Sequence, residues 1–159
     1  MALNLKVELE LVVDVLGLNA APFAICGAVA VTIHGAPRFT KDIDLLVPSV
    51  AIEQIKRLAA TVGFTFTAAP MTFEAGTPRE RTIHRVSKAD PPDLLTLDLI
   101  EARGLLLPAW DSRVVVEWEG RRVPVVSRDG LLLMKRLAGR PQDLLDIQKL
   151  GEDHDEKDS

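Results

Sequence analysis

The sequence predicts an α/β (α+β) fold in which a mixed β-sheet is flanked by helices and the chain closes with a helical pair. Strand-like and helix-like segments alternate through the first half, and strands with alternating apolar residues follow in the second half. Two helical segments come last. A chain of 159 residues, 47% of them hydrophobic, has the size of one globular domain with a buried core.

The first half of the chain is punctuated by glycine and proline. We expect a helix at LKVELELVVDVLG, a buried strand at FAIC and a helix of small residues that begins at Gly27 and ends at Gly35. After the loop APRFTK come the strand DIDLLVP and the amphipathic helix VAIEQIKRLAATVG, whose apolar residues recur at helical spacing.

The second half is predicted to contain mostly strands. Prolines and glycines indicate a loop over residues 68–80. RTIHRVS and LLTLDLI alternate as strands, and RVVVEWEGRRVPVVS predicts a hairpin that turns near Gly120. Helices follow over about 128–138 and 141–150. We therefore expect one domain over 1–150 and a disordered acidic tail over 151–159, because GEDHDEKDS lacks apolar anchors.

Composition narrows the classes of function. A net charge of -4 argues against a generally basic surface that coats nucleic acid. The single cysteine, Cys26, excludes an intramolecular disulfide. No apolar run approaches the roughly 20 residues that cross a bilayer, and MALNLKVELE lacks the features of a signal peptide. These features predict a cytoplasmic protein without a membrane partner.

Two aspartates stand one residue apart in DIDLLVP. Side chains alternate between the faces of a strand, so Asp42 and Asp44 project to one face while Ile43 and Leu45 project into the core. Unpaired carboxylates so close repel each other, and each is pushed to hold its proton. A divalent cation removes this penalty, and Mg²⁺ is usually held by one or two carboxylates plus substrate phosphates. The pair predicts a site for Mg²⁺ or Mn²⁺.

A third carboxylate, Asp98, is the lone acid of the strand LLTLDLI, where it shares a face with Thr96 and Ile100. If this strand lies beside the Asp42 strand, three carboxylates converge, enough to hold two metals across a phosphoryl group in an in-line displacement. The alternative is an edge-strand acid that faces water.

Candidate phosphate ligands surround the acid pair. Gly27 and Ala28 fall at a turn from strand to helix, where free backbone N–H groups can receive an anion. Arg38 and Lys41 are positioned to neutralise a triphosphate, and Thr40 offers a hydroxyl.

A second charged set lies near the end of the chain, in LMKRLAGRPQDLLDIQKL. Lys135 shares a helix face with apolar residues, so it points toward packed structure and is a further candidate phosphate ligand. The alternative is a structural ion pair between Lys135 and Asp143 of the next helix. Asp146 is expected at the surface, paired with Lys149 or Arg140.

At these residues the chain resembles a known family. ICGAVAVTIHGAPRFTKDIDLLV is similar to the strand-helix-loop-strand signature of the nucleotidyltransferase superfamily that includes polymerase beta. Arg38 and Thr40 ahead of Asp-Ile-Asp, and the later VPVVSRDGLLLMKRLAGRPQDLLDIQKL, resemble the AbiEii-like branch of toxin nucleotidyltransferases. The resemblance covers nearly everything from Phe23 to Leu150.

This resemblance implies a nucleotidyltransferase core. Asp42 and Asp44 would be metal ligands, and Asp98 the third catalytic carboxylate and metal ligand. The residues around the nucleotide would be Gly27, Ala28, Arg38, Thr40, Lys41, Lys135 and Asp143. Ala28 stands where the family usually has Gly or Ser.

Two functions follow as alternatives. The first is a Mg²⁺-dependent enzyme that moves a nucleoside monophosphate from an NTP such as ATP to an acceptor hydroxyl on RNA, tRNA, a protein or a small molecule, with a cognate toxin or antitoxin as a candidate partner. The second is a non-catalytic nucleotide-binding or antitoxin-like regulatory module on the same fold, which Ala28 favours.

Overall fold

A computed structural model of the chain describes residues 3–34 and 42–158, with side chains described to residue 151. In these ranges the strands form one mixed sheet in the order β3-β5-β6-β2-β1-β8-β7, and β4 pairs with β5. The pairs β2–β6 and β1–β8 are parallel and the other pairs are antiparallel. The strands are β1 Ala24–Cys26, β2 Asp42–Val47, β3 Phe66–Thr67, β4 Met71–Phe73, β5 Arg81–Asp90, β6 Asp93–Glu101, β7 Val114–Trp118 and β8 Arg121–Val125.

Helices flank this sheet, as the sequence predicts. Helix α1 packs against α3, while α5 contacts α2, α4 and α6. The helices are α1 Leu5–Leu18, α2 Gly27–Ile33, α3 Ile52–Thr61, α4 Leu107–Asp111, α5 Arg128–Ala138 and α6 Pro141–Asp158. None of the helices in the described ranges combines the length and apolarity needed to cross a bilayer.

Three parts of the structure differ from the sequence prediction. The expected loop over 68–80 contains β4, which pairs with the edge of β5, and α4 lies in a segment for which the sequence predicts no helix. Both are too short for their periodicity to show. Helix α6 continues to Asp158, beyond the expected end near residue 150. The sequence after Gly151 contains neither glycine nor proline, so nothing in it breaks a helix.

The predicted alternation in the central strands is confirmed. Ile43 and Leu45 of β2 and Leu97 and Leu99 of β6 are fully buried. Because a strand turns alternate side chains to opposite faces, Asp42, Asp44 and Asp98 occupy the other face. The apolar face thus anchors the strands that carry the acids.

Candidate active site

The three predicted acids lie on two neighbouring strands. In the parallel pair β2–β6, Asp44 stands directly opposite Asp98, and Asp42 stands opposite Thr96. The hydroxyl of Thr96 donates a hydrogen bond to Oδ1 of Asp42. Asp98 therefore sits inside the sheet next to the acid pair, and the water-facing edge-strand position is excluded. Its side chain is buried, with 7% of the residue exposed.

Gly27 brings the start of α2 against the carboxylate of Asp44. The antiparallel pair β1–β2 places Cys26 opposite Asp44, so the turn from β1 into α2 begins beside the acids. Gly27 has φ of 65°, a conformation that other residues rarely adopt. A Cβ at this position would lie 2.0 Å from Oδ2 of Asp44. Glycine is therefore required both by the backbone conformation and by the close approach of the carboxylate.

Arg85 of β5 is the direct partner of Asp98. Its Nε lies 2.8 Å from Oδ1 and its Nη2 lies 3.0 Å from Oδ2, a bidentate ion pair between residues in register on adjacent strands. The hydrogen bonds to Asp98 raise the pKa of Arg85. Sequence reasoning does not assign Arg85 to the site. The alternation of RTIHRVS, with Ile83 and Arg85 on one face, is the signal that could have done so.

The charge on Asp44 is poorly compensated. Burial, followed by the negative charges of Asp98 and Asp42, raises its pKa from 3.8 to about 7, while Lys135 and Arg140 oppose the shift. The repulsion that the sequence predicts between the acids therefore falls mainly on Asp44. A cation bound at this carboxylate would relieve it.

Lys135 forms the ion pair with Asp143 that the sequence offers as the alternative to a phosphate ligand, and it forms a second ion pair with Asp146. Its Nζ lies 3.2 Å from Oδ1 of Asp143 and 3.0 Å from Oδ2 of Asp146, and all three side chains are buried. The expectation of a surface position for Asp146 is wrong, because this residue faces α5 across the helix pair. Burial raises the pKa of Asp143, but hydrogen bonds with Arg140 and Lys135 outweigh it, so the pKa is lowered.

Most of the aspartates and the cationic side chains described above line one cleft of about 260 Å³. It brings together most of the predicted site residues: Gly27, Ala28, Asp42, Asp44, Asp98, Lys135 and Asp143. Arg85 and Arg140 also line it. The predicted phosphate ligands Arg38, Thr40 and Lys41 lie outside the described residues.

The donor set at β2 suits a divalent cation. Asp42 and Asp44 supply carboxylate oxygens on one face, and burial together with the charges of Asp98 and Asp42 raises the pKa of Asp44. Within the described part of the chain, no three His, Cys, Asp or Glu side chains are arranged as a metal site. Asp98 instead holds the guanidinium of Arg85. The residues therefore fit a cation at Asp42 and Asp44, and Asp98 can join them if Arg85 moves away.

Replacing Arg85 by glutamine is expected to increase the effect of Mg²⁺ on stability. The variant loses the cationic partner of Asp98, so its melting temperature without metal should fall. Because Asp98 is then available to the cation, millimolar Mg²⁺ should raise the melting temperature by more than it does in the wild type. Arg103→Gln is the control, since Arg103 pairs with Glu80 away from the acids. Equal Mg²⁺ shifts in the wild type and Arg85→Gln would show that Arg85 does not compete with the cation.

Comparisons with known proteins identify the fold. No protein-family model and no curated protein matches the chain. Among solved structures, the TM1012 protein of Thermotoga maritima, assigned as a nucleotidyltransferase, superposes with a TM-score of 0.62 at 16% identity, over 94% of this chain and 92% of that one.

The antibiotic-resistance factor ANT(2'')-Ia is also similar, with a TM-score of 0.64 at 13% identity over 91% of this chain and 80% of that one. Its crystal structure in complex with adenylyl-2''-tobramycin gives a TM-score of 0.58 at 13% identity, over 89% of this chain and 84% of that one. At such low identities these similarities establish architecture. The chain therefore has the fold of the nucleotidyltransferases, a mixed sheet flanked by helices.

Proposed function

We propose that the chain is a Mg²⁺- or Mn²⁺-dependent nucleotidyltransferase that moves a nucleoside monophosphate from an NTP to an acceptor hydroxyl and releases pyrophosphate. The observation that carries the proposal is the register of β2 and β6, which sets Asp44 opposite Asp98 with Asp42 on the same face. This arrangement lies in a cleft on a nucleotidyltransferase fold.

The charges of the cleft support entry of the NTP together with metal. Among the described residues, five aspartates cluster with three cationic side chains, so the carboxyl groups there outnumber their cationic partners. The aspartates are Asp42, Asp44, Asp98, Asp143 and Asp146, and the cations are Arg85, Lys135 and Arg140. Bound Mg²⁺ or Mn²⁺ would neutralise the phosphates and the developing charge.

Each side chain has a defined part in this proposal. Asp42 and Asp44 hold the cation. Asp98 completes the metal site and accepts the proton of the acceptor hydroxyl, once Arg85 has turned from it. Gly27 and Ala28 contribute backbone N–H groups to the phosphates, with Lys135, Asp143 and residues Arg38, Thr40 and Lys41 completing the nucleotide site.

The identities of the nucleotide donor and of the acceptor are proposed from similarity to other proteins. Adenylyl transfer by the similar ANT(2'')-Ia, as its complex with adenylyl-2''-tobramycin indicates, favours ATP as the donor. The resemblance of the Arg38 to Asp44 segment favours the AbiEii-like branch, and with it an RNA, tRNA or protein acceptor and a toxin or antitoxin partner. Transfer of the α-phosphate is common to all of these acceptors.

One observation favours the non-catalytic alternative. The carboxylate that would complete the metal site is paired with Arg85 at both oxygens. A nucleotide-binding module would keep this pair intact, whereas an enzyme must open it. Because Arg85 is 40% exposed at its side chain, solvent is available to it when it leaves Asp98.

The variant Asp98→Asn separates the two functions. Since Asp42 and Asp44 hold most of the cation, NTP affinity should stay within about tenfold, while transfer of α-phosphate label falls by about a hundredfold or more, as loss of a general base or ligand commonly causes. Asp93→Asn, at the other end of β6, is the control and should transfer as the wild type does. Full transfer by Asp98→Asn would remove Asp98 from the active site.

A further inference from the structure

A second cleft, of about 280 Å³, lies next to the 260 Å³ cleft that holds Asp42, Asp44 and Asp98, which we call the acidic cleft. The lining of the second cleft is mostly apolar. We call it the apolar cleft; its lining includes Phe73, Ile83, Ile100 and Met134. Ile83, Ile100 and Met134 line both clefts, so the two clefts are adjacent. Two groups of one bound molecule could therefore occupy neighbouring clefts.

The sheet sets the distance between the isoleucines of the apolar cleft and the carboxylate of Asp98. Ile83 and Arg85 lie on one face of β5, and their partners in register on β6 are Ile100 and Asp98. Alternate residues of a strand are about 7 Å apart, so an apolar group that contacts the two isoleucines would lie about that distance from Asp98. This spacing suits a ring joined to a reacting hydroxyl by a few bonds.

The walls of the apolar cleft favour an aromatic ring. Phe73 is 43% exposed, and the guanidinium of Arg81 lies 5.9 Å from the centre of its ring. Aromatic rings pack well on such an exposed Phe, and the thioether of Met134 makes favourable contacts with ring edges. A pocket of this size accommodates one ring system with its substituents.

The charged residues of the apolar cleft disfavour a cationic occupant. The charged residues of its described lining are two arginines, Arg81 and Arg140. Arg81 pairs with Glu74 and Arg140 pairs with Asp143, so an ammonium group bound in this described lining would be desolvated without a carboxylate partner. A neutral ring, or a ring that bears an anionic group, meets no such penalty and can accept hydrogen bonds from the guanidinium groups.

We propose that the apolar cleft binds an aromatic ring of the acceptor, and that this acceptor is neutral or anionic, unlike the polycationic tobramycin of the ANT(2'')-Ia complex. The proposal rests on the proposed function, which places the acceptor hydroxyl at Asp98. It narrows the substrate class to molecules that carry a hydroxyl within reach of an aromatic ring.

The test uses 1-anilinonaphthalene-8-sulfonate, an aromatic anion, as a fluorescent probe of the native protein. Binding is measured with Mg²⁺ and a non-hydrolysable ATP analogue at saturation, so that the donor site is filled. Phe73→Ala should weaken probe binding by about fivefold or more, the expected loss of aromatic contact, and Phe73→Trp should preserve it. Phe66→Ala is the matched control, because Phe66 is also an exposed residue paired with β5 but lies outside the cleft.

The outcomes distinguish the two proposals. Equal probe binding by Phe73→Ala and Phe66→Ala, or displacement of the probe by tobramycin, would overturn the acceptor assignment. Exclusion of the probe by the ATP analogue would also overturn it, since the ring would then belong to the donor. Asp44→Asn should still bind the probe while losing the ATP analogue. If this variant keeps the analogue, the proposed function fails, but binding of an aromatic ring in the apolar cleft still stands.

Discussion

Replacing Lys135 by methionine is expected to lower the free energy of unfolding by about 3–5 kcal/mol near neutral pH, the cost of breaking a buried ion pair by removing one partner. The substitution keeps an unbranched apolar side chain and removes the ammonium group. It leaves the buried carboxylates of Asp143 and Asp146 without their shared ammonium group. Urea unfolding followed by circular dichroism measures the loss.

Two further variants test the cause of this loss. Lys56→Met is the control, because Lys56 forms a surface pair with Glu53 and should change stability by less than about 1 kcal/mol. Adding Asp143→Asn and Asp146→Asn to Lys135→Met should recover much of the lost stability, since no unpaired buried charge is then left. A Lys135→Met variant as stable as Lys56→Met would show that the three residues do not form a buried cluster.

Replacing Asp44 by asparagine should abolish metal-dependent NTP binding and yet stabilise the fold above about pH 7. In the wild type, the pKa of Asp44 is about 7 in the folded state, whereas an unperturbed aspartate has a pKa of 3.8. The folded state thus binds more protons between these values, so wild-type stability falls as the pH rises from about 4 to 7. Asparagine does not ionise, and the gain at high pH should reach at most about 4 kcal/mol.

The pH series contains its own control. A hydrogen bond with Arg121 lowers the pKa of Asp14, so Asp14 contributes stability above its ordinary pKa and loses it as the pH falls. Asp14→Asn should therefore be the less stable protein near neutral pH, the opposite sign to Asp44→Asn. Asp44→Asn that unfolds more readily than the wild type at pH 8 would show that the carboxylate is structural.

The face on which each of the three acids lies was predictable from the sequence because it depends on local spacing. Two-residue alternation on β2 and β6 fixes the face of Asp42, Asp44 and Asp98 whatever the sheet order. The sequence could not show that β2 and β6 are parallel neighbours in register, since pairing between strands more than 50 residues apart leaves no periodic signal.

The counter-charges were harder to predict for the same reason. Arg85 meets Asp98 across a strand pair, and Asp146 meets Lys135 across a helix pair, so both contacts depend on tertiary packing. An isolated basic residue on a strand or an acid on a helix has a surface position as its simplest interpretation. Short elements such as β4 were missed because three residues cannot establish a period, and β4 supplies the Phe73 wall of the apolar cleft.

The fate of the two ends of the donor triphosphate tests the central claim most directly. The wild-type protein is incubated with Mg²⁺, hydroxyl-bearing aromatic acceptors and ATP that is labelled either at the α-phosphate or at the γ-phosphate. Nucleotidyl transfer predicts that the α-label becomes bound to the acceptor while the γ-label leaves in pyrophosphate. With Asp44→Asn, neither the labelled acceptor nor labelled pyrophosphate should form. Transfer of the γ-label, or release of the α-label in AMP with no labelled acceptor, would contradict the account.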